Sequence, residues 1–103
     1  MHSRESIQLI AQRIAAAASS PAKVILFGSY ARGDAKDDSD VDLLVLESEI
    51  ADKDEEYFKL FSTVRSLNID LILMREADYM ARIQSIGSLP YRIVKEGVIL
   101  HGE

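Results

Sequence analysis

Two aspartates, Asp40 and Asp42, stand at the start of the segment 40–46, which is otherwise apolar. In a strand, residues i and i+2 point to the same face, roughly 6.6–6.8 Å apart. Both carboxylates should therefore leave one face together, where they can bind one cation or hold two cations about 3.5–4 Å apart. Without a cation, like charges at close range raise each other's pKa. The pair therefore predicts a divalent metal site.

A third acid, Asp70, lies near the beginning of another apolar segment, 69–74. It can join the first two if its strand lies beside segment 40–46 and presents Asp70 on the same face. No Lys or Arg lies within two positions of Asp40 or Asp42, so no local ion pair accounts for them. Oxygen ligands without nearby His or Cys favour Mg²⁺ or Mn²⁺.

Gly28 and Ser29 follow the apolar run 24–27 and open a predicted helical turn. Glycine allows close approach of the backbone to a ligand, and free N–H groups at a helix start attract phosphate. The Ser29 hydroxyl adds a further donor. Arg32, in the same turn, is a candidate for contact with a phosphate or a partner, and a solvated surface role is equally open. A metal that bridges acids and phosphates would reconcile an anion site with neighbouring aspartates.

Alternating helical and strand patterns must position these groups. The fold class predicted is α/β (α+β), with a mixed β-sheet of about three to four strands in a single domain, 1–103. The helices are expected at 4–18, 52–67, 77–86 and 90–96, with a helical turn at 30–32. The strands are expected at 24–27, 40–46, 69–74 and 98–100. The predicted inward stripe of helix 52–67 consists of Tyr57, Leu60, Phe61, Val64 and Leu67.

Composition narrows the function classes. The 103 residues include no cysteine, which excludes disulfides, thiolate metal sites and cysteine nucleophiles. The net charge of −5 argues against free nucleic acid as the main partner, since such binding relies on clustered Lys and Arg. No apolar run approaches the ~18 residues of a membrane span, and no targeting segment is recognisable. A cytoplasmic location is therefore expected.

Gly28-Ser29, ten further residues and then Asp40-Val41-Asp42 resemble the signature of the DNA polymerase β-like nucleotidyltransferase superfamily. The stretch VILFGSYARGDAKDDSDVDLLV is similar to its minimal nucleotidyltransferase branch in particular. Asp70 within NIDLILM matches the position of the family's third carboxylate, and YRIVKEGVILHG resembles the family's closing helix and strand. The resemblance covers nearly the whole chain.

The resemblance implies a catalytic triad of Asp40, Asp42 and Asp70 that coordinates two Mg²⁺ ions, with Mn²⁺ as a substitute. Asp70 would also help to deprotonate the attacking hydroxyl. Gly28 and Ser29 would hold the β- and γ-phosphates of ATP, and the hydroxyl would attack the α-phosphorus with release of pyrophosphate.

Small members of this family often act with a separately encoded helical partner of the HEPN type, as toxin–antitoxin pairs. The resemblance therefore implies an antitoxin that transfers AMP to a tyrosine of its toxin. Two alternatives stay open: a non-catalytic antitoxin that neutralises its partner by contact, and a nucleotidyltransferase for small molecules such as antibiotics. A homo- or hetero-oligomer is compatible with either. Polymerisation of nucleic acid is least favoured, given the acidic composition.

Overall fold

A mixed four-stranded sheet organises the computed structural model, which describes residues 1–65 and 67–102. The strands are β1 (Ala22–Phe27), β2 (Val41–Glu47), β3 (Ile69–Arg75) and β4 (Val98–His101). Their order in the sheet is β3-β2-β1-β4. β1 is antiparallel to both β2 and β4, while β2 and β3 are parallel. The predicted mixed α+β fold is confirmed.

The helices connect and cover these strands. They are α1 (Arg4–Ala17), α2 (Gly28–Arg32), α3 (Lys53–Ser62), α4 (Glu76–Arg82) and α5 (Leu89–Glu96). Parallel strands need a crossover connection, and α3 provides it between β2 and β3. Asp52 is the N-cap of α3, because its carboxylate accepts a hydrogen bond from the Glu55 N–H at 3.1 Å. None of the described helices is both long and apolar enough to cross a bilayer.

Both faces of the sheet are covered, which explains why the strands are almost continuously apolar. Val41, Leu43 and Val45 of β2 belong to one core cluster, together with buried residues of α1 and α3. Leu44 and Leu46 belong to a second cluster on the opposite face, together with Tyr79 of α4 and Ile93 of α5. By the same alternation, Asp42 lies on the face that α4 and α5 cover. The β2 side chains on that face pack against α5.

Two helices end earlier than their apolar periodicity predicts. α3 ends at Ser62 instead of Leu67, and α4 ends at Arg82 instead of Ile86. After α3, the hydroxyls of Ser62 and Thr63 donate to backbone carbonyls at 2.8 and 2.7 Å, which competes with further helix. The chain continues in tight turns that still bury Val64. Ser66, part of the predicted helix, lies outside the described residues.

The predicted inward stripe of α3 is wrong at one position. Leu60 is fully buried, but Tyr57 is 37 % exposed. Tyr57 instead stacks on Phe61, with ring centroids 5.9 Å apart. An aromatic pair on the flank of the helix thus replaces the expected core contact.

A buried pair of carboxyl groups, Glu47 and Glu56, joins β2 to α3 at the end of the sheet away from Asp42. Glu47 is fully buried, and its Oε1 accepts hydrogen bonds from the backbone N–H and the hydroxyl of Ser20 at 3.2 and 3.1 Å. Glu56 accepts two bonds from Ser19, at 2.9 and 2.7 Å. Burial, then a hydrogen bond to Glu56 and repulsion from it, raise the pKa of Glu47 to about 7. Glu47 therefore holds a proton below about pH 7, and a hydrogen bond between the two carboxyl groups favours that protonated form.

Candidate functional site

Asp42 and Asp70 are brought together by the register of the two parallel strands. The Cα atoms of these residues are partners in the pairing of β2 with β3. Partner residues on neighbouring strands point to the same face, so both carboxylates lie on the face covered by α4 and α5. The arrangement expected from the sequence for these two acids is therefore present in the fold.

The proximity of these carboxylates perturbs Asp42. Burial, followed by the charge of Asp70 and a hydrogen bond with it, raises the pKa of Asp42 to about 6. The charge of Asp40 acts in the same direction, whereas Arg32 opposes it. Below about pH 6 a proton on Asp42 relieves this repulsion, so a bound divalent cation would compete with that proton.

Asp40 is placed differently. It lies immediately before β2, is exposed, and is not part of the cleft lining described below. Among residues 1–65 and 67–102, no group of three or more His, Cys, Asp or Glu side chains is close enough to hold a metal as it stands. The structure thus assembles two of the three predicted carboxylates and leaves Asp40 adjacent, with its charge felt by Asp42.

Gly28 brings the backbone against the Asp42 carboxylate. Its φ is +74°, in the left-handed region that favours glycine. A Cβ at this position would overlap Oδ2 of Asp42 and lie 2.9 Å from its Cγ. The requirement for glycine therefore has two causes, the backbone conformation and the space that the carboxylate occupies.

Glu96, at the end of α5, bonds to the turn that carries Gly28 and Arg32. Its Oε1 accepts a hydrogen bond from the Gly28 N–H at 3.3 Å, and its Oε2 accepts one from Arg32 Nη1 at 3.4 Å. Arg32 Nε also donates to Asp34 at 3.3 Å. The pKa of Arg32 is raised, first by the hydrogen bond to Asp34 and then by that to Glu96. The sequence did not predict Glu96, because nothing distinguishes it from a solvated acid in the last turn of a helix.

An open cleft of about 480 Å³ connects these groups. Its polar lining comprises Gly28, Ser29, Arg32, Asp42, Asp70 and Arg92. Five of the six predicted site residues therefore line one cleft, and Arg92 of α5 is an addition that sequence reasoning missed. A second pocket of about 450 Å³ adjoins the cleft and shares Leu89 and Arg92 with it.

The donor set fits a hard divalent cation. Asp42 and Asp70 offer only oxygen ligands, and the pKa of Asp42 is raised first by burial and then by the charge of Asp70, a repulsion that a cation would relieve. No cysteine exists in the chain, and neither histidine, at positions 2 and 101, belongs to the cleft lining. These observations favour Mg²⁺ or Mn²⁺ over a softer metal.

Residues 10–103 match the family described as polymerase beta, nucleotidyltransferase. The chain belongs to this family. The match includes every residue of the cleft and all four strands. This nucleotidyltransferase thus has the fold and the enzyme class that the glycine–serine and aspartate motifs predicted.

Individual relatives agree with the family. A candidate protein adenylyltransferase of Methanocaldococcus jannaschii, MJ0141, is 42% identical over 52 residues, which are 50% of this chain and 52% of that protein. The match thus spans about half the length of this curated relative. Two solved structures share the fold. A toxin–antitoxin crystal structure with AMP-PNP has a TM-score of 0.66 at 22% identity, over 93% of this chain and 73% of that one. A candidate nucleotidyltransferase from Sulfolobus solfataricus has 0.62 at 23% identity, over 90% and 74%.

Proposed function

We propose that this nucleotidyltransferase transfers AMP from ATP to a protein hydroxyl, a tyrosine of a helical HEPN-type toxin, and so acts as an antitoxin. The observation that carries the proposal is the cleft in which the Asp42–Asp70 pair faces the Gly28–Ser29 turn. Paired carboxylates next to a backbone that accepts an anion suit a substrate that combines phosphates with divalent cations.

Each residue of the cleft would have a distinct role in binding the metal or the nucleotide. Asp42 and Asp70 would hold the metal, with Asp40 completing the set for two Mg²⁺ ions or for Mn²⁺. Bound there, the ions would neutralise charge on the phosphates and on the departing pyrophosphate. Gly28 leaves room for the Asp42 carboxylate against the backbone of the turn, and the Ser29 hydroxyl would donate to a phosphate beside it. Arg32, which already pairs with Asp34 and Glu96, orders the turn that presents these donors.

The reaction is an in-line displacement at the α-phosphorus. The acceptor oxygen forms a bond to this phosphorus, and the bond from phosphorus to the oxygen that bridges the α- and β-phosphates breaks. Pyrophosphate leaves with the electron pair of that bond. The hydroxyl proton passes to Asp70, whose exposed position on β3 leaves it accessible to an incoming acceptor. AMP is then joined to the acceptor by a phosphodiester.

Two further observations support the choice of nucleotide and acceptor. The curated relative is named for protein adenylylation, and one similar fold was solved as a toxin–antitoxin complex with AMP-PNP. Asp70 lines the cleft and is exposed, so an acceptor on a second protein can approach it from solvent. A partner would then supply the wall that excludes water around the reacting groups.

The test is incorporation of nucleotide into the partner. The chain is incubated with Mg²⁺, each labelled nucleoside triphosphate and its HEPN-type partner, and the products are analysed by intact mass and peptide mapping. We expect one or more AMP additions on a partner tyrosine, with ATP preferred. Asp42→Asn should abolish the addition, while Asp37→Asn, an exposed loop control, should retain it.

Two outcomes would contradict the proposal. If no labelled product forms with any triphosphate although Mg²⁺ and partner both bind, the adenylylation proposal is wrong. If Asp42→Asn still neutralises the toxin as well as wild type, the antitoxin acts by contact alone.

A further inference from the structure

We propose that Arg92 of α5 binds the triphosphate of the nucleotide. This role rests on the proposed function, and it belongs to a residue outside the glycine–serine and aspartate motifs. Arg92 lines the same cleft as Gly28, Ser29 and the two aspartates. It reaches them because α5 packs through Ile93 on the face of the sheet that carries Asp42.

The charges of the cleft show why another cation is needed. Asp42 and Asp70 contribute negative charge, and a triphosphate adds several more. Arg32 offsets this excess only in part, because its guanidinium is also paired with Asp34 at 3.3 Å and with Glu96 at 3.4 Å. The positive charge of Arg32 is therefore shared with two other carboxylates of the protein.

Arg92 differs from Arg32 in the pairing of its guanidinium. Its backbone N–H bonds to the Ser88 carbonyl at 3.3 Å, but its guanidinium has no hydrogen bond or ion pair with any residue in 1–65 or 67–102. The side chain is exposed, so it is available to a ligand that enters the cleft. A guanidinium binds phosphate oxygens through two parallel N–H donors and keeps its charge at any physiological pH.

Lys95, one turn along the same helix, offers a matched comparison. It lines the adjoining pocket but not the cleft, and its ammonium donates to the Tyr91 hydroxyl at 2.8 Å and lies 4.3 Å from the ring centroid. A nonspecific effect of positive charge on α5 would therefore involve Lys95 as much as Arg92. Contact with the phosphates would involve Arg92 alone.

The experiment measures binding separately from turnover. Dissociation constants for ATP and for AMP are determined by calorimetry in excess Mg²⁺ without an acceptor, for wild type, Arg92→Gln, Arg92→Lys and Lys95→Gln. We expect Arg92→Gln to weaken ATP binding by about tenfold or more, as loss of a charged hydrogen-bond partner does. AMP binding should change little, because AMP lacks the β- and γ-phosphates. Arg92→Lys should recover part of the loss, and Lys95→Gln should resemble wild type. Unchanged melting temperatures confirm folding, since Arg92 is exposed.

The outcomes separate this inference from the proposed function. ATP affinity within twofold of wild type in Arg92→Gln overturns the role of Arg92, even if AMP transfer to the partner is intact. Equal weakening of ATP and AMP also overturns it, because the contact would then not be to the triphosphate. If wild type binds ATP through Arg92 but transfers no AMP, the inference stands and the proposed reaction falls. If wild type binds no ATP, both fall.

Discussion

The buried proton of Glu47 predicts an unusual pH dependence of stability, and Glu47→Gln is the substitution that reveals it. Glu47 titrates near its ordinary value of 4.5 in the unfolded chain but at about 7 in the folded protein. Between these two pH values the folded protein holds a proton that the unfolded chain has lost. The free energy of unfolding therefore falls as pH rises through this window.

The size of the effect follows from the two pKa values. Each tenfold change in proton affinity corresponds to about 1.4 kcal/mol. A pKa of about 7 in place of 4.5 thus destabilises the folded protein by about 3 kcal/mol once the pH exceeds both values. Glutamine has the same shape and no proton to lose, and its amide can donate to Glu56 in place of the carboxyl proton. Glu47→Gln should therefore match wild type near pH 4 and exceed it by about 2–3 kcal/mol near pH 8.

Glu56 contributes in a different pH range. Burial alone would raise the pKa of Glu56, but hydrogen bonds from Glu47 and Ser19 and the charge of Lys59 lower it to about 2. This lowered pKa stabilises the folded protein above about pH 4.5 and loses that effect as the pH falls toward 2. Between pH 4.5 and 7, the pH dependence of the free energy of unfolding therefore comes from groups with raised pKa values.

Urea denaturation at pH 4, 6 and 8 measures these differences. With a slope of about 1–3 kcal/mol/M, the midpoint of Glu47→Gln at pH 8 should exceed that of wild type by about 1–3 M. The raised pKa of Asp42 acts in the same direction in both proteins and cancels in the difference. Glu49→Gln, at a nearby exposed acid, should behave as wild type. Parallel stability curves for wild type and Glu47→Gln between pH 4 and 8 would refute the argument for a buried proton.

Three further predictions concern the site and the core. Gly28→Ala should weaken ATP binding at least tenfold by calorimetry and lower the melting temperature, since the methyl group overlaps Asp42. The control is Gly33→Ala, where the backbone is equally strained but the space beside it is open, and this variant should bind ATP normally. Metal-free Asp42→Asn should melt at a higher temperature than wild type above pH 6, because the repulsion with Asp70 is gone, and should lose the stabilisation that Mg²⁺ gives wild type. Leu44→Ala, in the core beneath the cleft, should cost about 2–5 kcal/mol in urea denaturation without altering the charge of the site. A smaller loss would mean that the face covered by α4 and α5 is loosely packed.

Local patterns predicted most of the sheet and part of the site. The two-residue period of a strand predicted a shared face for Asp40 and Asp42, but Asp40 lies before β2 and outside the cleft. The helical connection was consistent with a neighbouring strand that carries Asp70, and β3 is that strand. The register that pairs Asp42 with Asp70 could not be derived, since it depends on how α3 packs over the sheet. The ends of α3 and α4 were missed because serine and threonine hydroxyls bond to backbone carbonyls there.

The contribution of α5 to the cleft could not be predicted from the sequence. Glu96 bonds to Gly28 and Arg92 lines the same cleft because segments far apart in the chain pack together, and neither residue type is unusual on an exposed helix. Glu47 was also hidden, because a glutamate at the end of a strand is expected in solvent. Long-range packing decided the surroundings of all three side chains.

Because β4 pairs with β1 across a long stretch of chain, we expect the cleft to form late in folding. Ile99 of β4 lies opposite Ile25 of β1, and Gly97, which joins β4 to α5, packs so closely on Ile25 and Ile93 that a Cβ would collide with them. Docking of α5 is therefore tied to closure of the longest loop among the strand pairings. As the chain leaves the ribosome, its aspartates emerge well before the helix that carries Arg92 and Glu96. We expect the carboxylates of a nascent chain to come together first. Its affinity for triphosphate should appear only when the last strand joins the sheet.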